Sequence, residues 1–384
     1  MKRILGAGAL AGLCLCVLGA AATFAHLKVP KPSGSDPVGR MAISWTDSSR
    51  SETHTKDPSD RREVQATIWY PAEEGSGAKS GYLGRMSKAV KGLVSSGELS
   101  RSAVTALRFV RDPALTGSRI STTQRSYPVI LLSPGNATNV GFYASITEEL
   151  ASRGYVVVGV DHPYQVAAVE LAGGDIAVYD AAYGNDRSNS AAKIGERVAD
   201  IQVVLDRLAG MKESGNSIGT RLDLERVGIM GHSNGGIAAV EACRADLRLK
   251  ACMNVDGQMA GGPFSYQAGA GAPEQPFLFL TKETQLHPVL AGRFEAGGSG
   301  TYRLVVPAAA HDHFTDGALF KPTLNPFART PDNVIAVSRA LARAFFDHAL
   351  LGKPETALRE LAPATDVYVN VYPLGNRPSI PNEM

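Results

Sequence analysis

Hydrophobic and polar positions alternate along this chain in blocks that predict strands and helices in turn. Short, wholly apolar runs such as Val129–Leu132 are typical of strands that are covered on both faces of a sheet. Runs with apolar positions three or four residues apart, such as Arg197–Leu208, predict amphipathic helices. The alternation indicates an α/β fold with a mostly parallel central sheet, helices on both faces and a helical insertion.

The same pattern places the individual elements. The predicted strands are Met41–Trp45, Val64–Tyr70, Val129–Leu132, Tyr155–Val160, Arg226–Met230, Ala251–Val255, Pro276–Thr281 and Tyr302–Val306, with Val367–Tyr372 as an edge strand. The predicted helices are Tyr143–Arg153, Arg197–Leu208, the segment after residue 233, and Asn333–Leu351.

Two insertions interrupt the alternation. Gly81–Gln124 contains two helical stretches, which we interpret as a satellite hairpin on the core; a lid over the site or a surface that contacts lipid or polymer is the alternative. Val166–Tyr183 carries a Gly-Gly-Asp turn between apolar stretches and predicts a β-hairpin.

The N-terminus has the pattern of a secretory leader. Lys2 and Arg3 precede an apolar run that ends in small residues near Ala25, so residues 1–25 are predicted to be a signal peptide and 26–384 one globular domain. An uncleaved membrane anchor is the alternative, because the run is slightly long. The expected location is therefore outside the cytoplasm, in the periplasm or the medium.

Charge and cysteine content narrow the choice of partners. The formal net charge is +2 with no basic cluster, which gives nucleic acid no electrostatic footprint. Cys243 and Cys252 remain after the leader; in an oxidising compartment they either pair or stay as two buried thiols. The sequence does not indicate an oligomeric state.

The stretch around Ser233 carries the strongest chemical signal. Gly231-His232-Ser233-Asn234-Gly235 lies between an apolar strand and an alanine-rich helix. A serine on so sharp a turn is lifted out of the sheet, and its small neighbours let strand and helix approach each other. We predict that Ser233 is a nucleophile.

A serine nucleophile needs a base, and the base needs a carboxylate to orient it. In a fold of this type the acid follows the serine and the histidine comes last. Asp256 stands at a strand end and is the predicted acid, with Glu283 as the alternative. His311 follows the last central strand and is the predicted base, with His313 as the alternative.

The remaining parts of the site are an oxyanion hole and a substrate pocket. The backbone amides of Asn136 and Asn234 are the predicted oxyanion donors, because one follows the first central strand and the other follows the nucleophile. Ala137, Asp161 and His162 are predicted to border the substrate pocket. No metal or organic cofactor is implied.

Three motifs resemble one known family. Ser133-Pro134-Gly135-Asn136, the run Leu150–Val157 that leads to Asp161-His162-Pro163, and Gly231–Gly236 are similar to bacterial members of the platelet-activating factor acetylhydrolase group. That group is a branch of the α/β-hydrolases that borders dienelactone hydrolases and cutinase-like polyester hydrolases. The resemblance implies an α/β-hydrolase fold, and it favours Asp256 because the group takes its acid from the strand after the nucleophile helix.

The sequence therefore predicts a secreted serine ester hydrolase that forms an acyl-enzyme on Ser233. We expect it to prefer short acyl esters, because the residues after Asn136 are small or polar. The expected substrate is a small or lipid-like ester. A dienelactone or polyester hydrolase is the alternative within enzymes, and a binding protein on a hydrolase fold is the alternative outside them.

Overall fold

A computed structural model describes residues 29–82, 86–95, 100–107, 110–258, 273–282, 300–306, 309–320 and 331–361. The predicted signal peptide and the predicted edge strand at Val367–Tyr372 lie outside these ranges. Within them no helix is both long enough and apolar enough to cross a bilayer.

The chain forms a ten-stranded sheet, a separate two-stranded hairpin and eight described α-helices. The strands are β1 (Val38–Ser51), β2 (Arg61–Pro71), β3 (Ala78–Gly81), β4 (Arg111–Thr116), β5 (Tyr127–Ser133), β6 (Val156–Asp161), β7 (Ala168–Glu170), β8 (Ile176–Val178), β9 (Leu222–His232), β10 (Leu249–Val255), β11 (Phe277–Thr281) and β12 (Thr301–Val305). The helices are α1 (Met86–Ser95), α2 (Arg101–Leu107), α3 (Ala144–Ala151), α4 (Ala181–Asn185), α5 (Ser190–Glu213), α6 (Asn234–Ala245), α7 (Pro331–Leu351) and α8 (Thr356–Glu360).

The large sheet has the strand order β12-β11-β10-β9-β5-β6-β2-β1-β4-β3. The six strands from β12 to β6 in that order run parallel, and β2 then pairs with β6 in the antiparallel sense. The prediction of a mostly parallel sheet in an α/β-hydrolase fold is confirmed. Because the carboxyl ends of parallel strands meet at one edge, the turns after β5, β9 and β10 come together there.

Two hydrophobic cores cover the two faces of the sheet. Successive residues of β5 point to opposite sides, so Ile130 packs into the core under α3 and α7, while Leu131 packs into the core under α5 and α6. Both residues are fully buried. The near-continuous apolar strands of the sequence therefore follow from burial on both faces.

The first insertion contains a strand as well as the predicted helices. It holds the two expected helices, α1 and α2, but its chain also forms β4, which pairs with β1 and extends the sheet. Leu93, Val104 and Leu107 are buried in the same core as α3 and α7. The insertion is thus packed on the domain, and its role as a lid stays a prediction. The second insertion is the predicted hairpin, formed by β7 and β8.

The two cysteines outside the leader form a disulfide. Cys243 lies on α6 and Cys252 on β10, and their Cα atoms are 6.4 Å apart. Both are fully buried. The bond joins the helix after Ser233 to the strand before Asp256.

Candidate active site

Ser233 stands on a strained turn between β9 and α6. Its backbone has φ 56° and ψ −126°, a conformation that an L-residue rarely adopts. A side chain at Gly231 would run into the carbonyl of Gly235, and one at Gly235 would run into the carbonyl of Ser133. These contacts explain why only glycine fits on either side of the serine. Ser233 itself is partly exposed, as a nucleophile must be.

Asp256 and His311 form a close pair beside this turn. Asp256 directly follows β10 and also has a positive φ, 51°. Its Oδ2 lies 2.6 Å from Nδ1 of His311. The side chain of Asp256 is 5% exposed and that of His311 is 47% exposed, so the carboxylate is buried behind the ring. The ring can therefore meet both the acid and a ligand from solvent.

The surroundings of Asp256 favour its charged form. Burial by itself would raise the pKa of this carboxyl, but hydrogen bonds from His311 and from the backbone amide of Lys282 outweigh burial and lower the pKa. Thr281 donates a further hydrogen bond to Oδ1 over 3.0 Å. A carboxylate held in this way orients the imidazole with its proton on Nδ1, which leaves Nε2 as an acceptor.

One cavity joins these residues to the predicted oxyanion donors. It has a volume of about 490 Å³. Its wall includes Asn136, Ser233, Asn234, Asp256 and His311. The amide of Asn234 is the first of α6, so it has no acceptor within its own helix. The arrangement brings the serine, the imidazole–carboxylate pair and the two residues predicted to supply the oxyanion donors to one cavity.

The turn after β5 is fixed by buried side chains on both sides. Arg197 is fully buried and donates from Nη1 to the carbonyl of Pro134 over 2.6 Å. The hydroxyl of Tyr143 accepts a hydrogen bond from the amide of Gly135 over 3.0 Å. Asn136 donates from Nδ2 to the hydroxyl of Tyr179 over 2.6 Å. A preorganised turn is what an oxyanion donor requires, since its amide must not move during reaction.

The structure does not bring all predicted pocket residues to the cavity. His162 is fully buried and bonds Ser133 Oγ and Asp200 Oδ2, each over 2.9 Å. Asp161 is buried and accepts from the amide of Val140 over 2.9 Å. The side chains of His162 and Asp161 thus contact the end of β5 and the helical turn that begins at Val140, and neither residue lines the cavity. Ala137 is partly exposed but is not among the lining residues.

The structure describes the alternative base, His313, but not the alternative acid, Glu283, which lies outside the described residues. His313 is buried, and its Nδ1 accepts a hydrogen bond from the amide of Ala310 over 3.2 Å. It does not line the cavity, whereas His311 does.

Sequence reasoning missed a hydrogen-bonded chain that links three parts of the site. The hydroxyl of Tyr143 bonds Nδ1 of His232 over 2.9 Å, and Nε2 of His232 bonds the backbone carbonyl of His311 over 3.0 Å. Burial and the nearby His311 lower the pKa of His232 to about 3, so this ring stays neutral. Nothing in the linear pattern marks His232 as a link between these elements or Tyr143 as its partner.

Sequence reasoning also missed the basic wall of the cavity. Arg187, Lys193 and Lys282 line it, together with Asn185 and Gln258. Arg187 comes from the 3-10 turn before α5 and Lys193 from the first turn of α5, and both are distant from Ser233 in sequence. No local signal could have placed them there.

The chain is similar to known esterases. Residues 21–177 match the family model described as platelet-activating factor acetylhydrolase, isoform II. A probable 1-alkyl-2-acetylglycerophosphocholine esterase of Arthroderma benhamiae is 26% identical over 70% of this chain and 69% of its own length. The platelet-activating factor acetylhydrolase of Cavia porcellus is also 26% identical, over 68% of this chain and 62% of its own.

A solved structure extends the similarity to most of the chain. A ferulic acid esterase from Streptomyces cinnamoneus superposes with a TM-score of 0.71 at 29% identity, over 90% of this chain and 99% of that one. The matched family segment ends before Ser233, so the geometry described above carries the assignment of individual residues. With the sheet topology, these similarities identify the chain as a carboxylic ester hydrolase with an α/β-hydrolase fold, similar over residues 21–177 to the platelet-activating factor acetylhydrolase family.

Proposed function

We propose that the protein hydrolyses carboxylic esters through an acyl-enzyme on Ser233, with His311 as the base and Asp256 as the acid that orients it. The observation that carries this proposal is the 2.6 Å contact between His311 and Asp256. Both residues line the same cavity as Ser233. The strained backbone of Ser233 supports it, because such strain persists only where the surrounding structure imposes it.

The reaction follows from these positions. Ser233 Oγ attacks the ester carbonyl while Nε2 of His311 takes its proton. The amides of Asn136 and Asn234 donate to the oxyanion, and collapse of the tetrahedral intermediate expels the alcohol, which receives the proton from His311. Water then repeats the sequence on the acyl-enzyme and releases the carboxylic acid. Asp256 stays ionised throughout and stabilises the imidazolium.

The lining of the cavity supports a preference for short acyl groups, from acetyl to about butyryl. Ile237 is the one aliphatic side chain longer than alanine among the described lining residues, and the others are glycine, His311 and polar side chains. Each added methylene gains at most about 1 kcal/mol, and only where apolar surface receives it. Acetyl esters also agree with the names of the fungal and mammalian relatives.

A second substrate class is favoured by the structural similarity. The ferulic acid esterase matches 90% of the chain, while the acetylhydrolase model covers residues 21–177. Esters of hydroxycinnamic acids are therefore the second candidate. Such an acid is flat and rigid, so it needs a slot beside Ser233 that extends beyond a butyryl group.

We also propose that the protein is secreted and its leader removed. The leader pattern of residues 1–25 supports this, and so does the Cys243–Cys252 disulfide, because such bonds persist in oxidising compartments. Expression with the native leader, followed by N-terminal sequencing of extracellular protein, tests it. A cell-bound protein that retains residue 1 would contradict it.

The proposed activity is tested by labelling and by a substrate panel. A fluorophosphonate probe should label the wild type and not Ser233→Ala. The specificity constant should then be measured on p-nitrophenyl acetate, butyrate and octanoate, and on methyl ferulate. A maximum at acetate or butyrate is expected. A steady rise to octanoate would instead indicate a lipase, and methyl ferulate as the best ester would establish the second candidate.

A further inference from the structure

The charge of the cavity is not explained by ester hydrolysis alone. Among the described lining residues three are basic, namely Arg187, Lys193 and Lys282, and one is acidic, Asp256. The carboxylate of Asp256 is already paired with His311. Attack on a neutral ester needs no cation on the wall, since the two backbone amides meet the oxyanion. The basic side chains therefore point to a charge on the substrate itself.

Arg187 is the basic side chain best placed to meet such a charge. It begins the short 3-10 turn Arg187–Asn189 and is exposed on the cavity wall. No ion pair of its guanidinium is found in the part of the chain that the structure describes. The nearest acid in sequence, Asp186, accepts from the amide and hydroxyl of Ser188, over 2.9 and 2.8 Å, and is not a lining residue.

Lys193 fixes the segment that presents Arg187. It is 2% exposed, and its Nζ donates to the carbonyls of Gly184 over 2.7 Å and Asp186 over 2.9 Å. Asp186 directly precedes Arg187 in the chain, and Gly184 lies three residues before it. Burial lowers the pKa of this ammonium, and among the described residues two carbonyl oxygens, not a carboxylate, hold it.

The same segment is tied to the turn that carries an oxyanion donor. The hydroxyl of Tyr179 accepts from Nδ2 of Asn136 over 2.6 Å and donates to Oδ1 of Asn185 over 2.9 Å. The basic wall and the Asn136 turn are thus parts of one hydrogen-bonded unit. A group bound at Arg187 would be held at a fixed distance from the reacting carbonyl.

We propose that Arg187, on a segment that Lys193 holds in place, forms a subsite for an anionic group that the substrate carries close to the scissile ester. The group is a carboxylate or a phosphate, the two anions that a guanidinium binds in a bidentate manner. This proposal rests on the proposed function, because it concerns the cavity of Ser233. It narrows the substrate from any short ester to a short ester with a negative charge.

The test compares two anionic esters, each with a neutral partner. Monomethyl succinate is matched by methyl 4-methylpentanoate, in which two methyl groups replace the carboxylate oxygens. Glycerol 1-acetate 3-phosphate is matched by glycerol 1-acetate. Specificity constants are measured by titration of released acid for the wild type, Arg187→Gln, Arg187→Lys and the control Arg125→Gln. Arg125 is also exposed but does not line the cavity.

We expect the wild type to favour at least one anionic ester by about tenfold, since a partly exposed ion pair contributes modestly. Arg187→Gln should lose most of that preference, Arg187→Lys should keep part of it, and Arg125→Gln should keep all of it. Raising NaCl from 20 mM to about 0.5 M should lower the wild-type rate on the anionic ester more than on its neutral match.

A preference for monomethyl succinate places the anion on the acyl side of the ester. A preference for glycerol 1-acetate 3-phosphate places it on the alcohol side. A wild type without preference for either anionic ester would overturn the proposal, as would an unchanged preference in Arg187→Gln. If Arg187→Gln does not fold, the salt dependence of the wild type is the test: an equal effect of NaCl on the anionic ester and its neutral match would overturn the proposal. Absence of hydrolysis of all four esters would instead contradict the proposed function.

Discussion

Nε2 of His232 donates a hydrogen bond to the backbone carbonyl of His311 over 3.0 Å. The residue before the proposed nucleophile thereby holds the loop of the proposed base. The ring centroids of the two histidines are 4.5 Å apart, so the rings also pack against each other. Since Tyr143 bonds the other ring nitrogen of His232, a single chain of contacts fixes the turn after β5, the serine turn and the histidine loop.

Tyr143→Phe should lower kcat about tenfold with little change in KM. The substitution removes the bond to His232 Nδ1 and leaves the buried amide of Gly135 without its acceptor, at about 1–3 kcal/mol for such a loss. Tyr70→Phe is the matched control, because its buried hydroxyl also makes two hydrogen bonds, both with Ser118. Both variants should unfold at lower urea concentration. Equal kcat in the two variants would show that Tyr143 acts on stability alone.

Asp256→Asn should reduce kcat by about three to four orders of magnitude, because an amide presents the wrong tautomer of His311 to the serine. Glu283→Gln should reduce it less than threefold. Both are measured on p-nitrophenyl acetate, with circular dichroism to confirm folding. The reverse order of effects would transfer the role of acid to Glu283.

Asp316→Asn should cost more stability at pH 5 than at pH 8. Burial raises the pKa of Asp316 to about 7 from an ordinary value of 3.8, even though Ser145 donates to it. Between about pH 4 and pH 7 the folded protein thus binds a proton that the unfolded chain has lost, and wild-type stability falls as pH rises through this window. Asparagine has no such proton.

Urea unfolding of the wild type and Asp316→Asn at both pH values measures the difference. Asp175→Asn is the control, since Asp175 is exposed in the hairpin turn. A destabilisation by Asp316→Asn that does not change with pH would mean that this carboxyl is charged in the folded state.

Removal of the disulfide should lower the free energy of unfolding by about 2–3 kcal/mol, the usual contribution of a bond that closes a short loop. The variant Cys243→Ser with Cys252→Ser should show this loss, compared with the wild type in urea without reductant. The intact mass of the wild type should rise by about 2 Da on reduction. Two cysteines that alkylate in the unfolded, unreduced protein would exclude the bond.

The sequence by itself determined the architecture of this protein and its class as an ester hydrolase. Short apolar runs such as Val129–Leu132 predict strands buried on both faces, and glycines on both sides of Ser233 permit the strained turn that the structure has. These are local properties, set by periodicity and by the volume of neighbouring side chains. The α/β-hydrolase fold and the esterase class, which the comparisons confirm, follow from them.

Only the tertiary structure decided which side chains surround Ser233. Asp161 and His162 follow a central strand, as site residues often do, but their hydrogen bonds turn them into the interior. Arg187 lies on the 3-10 turn before α5 and reaches the cavity because Lys193 and Tyr179 anchor its segment. Such contacts join residues from separate elements, so their outcome depends on how the elements pack and leaves no periodic trace in the sequence.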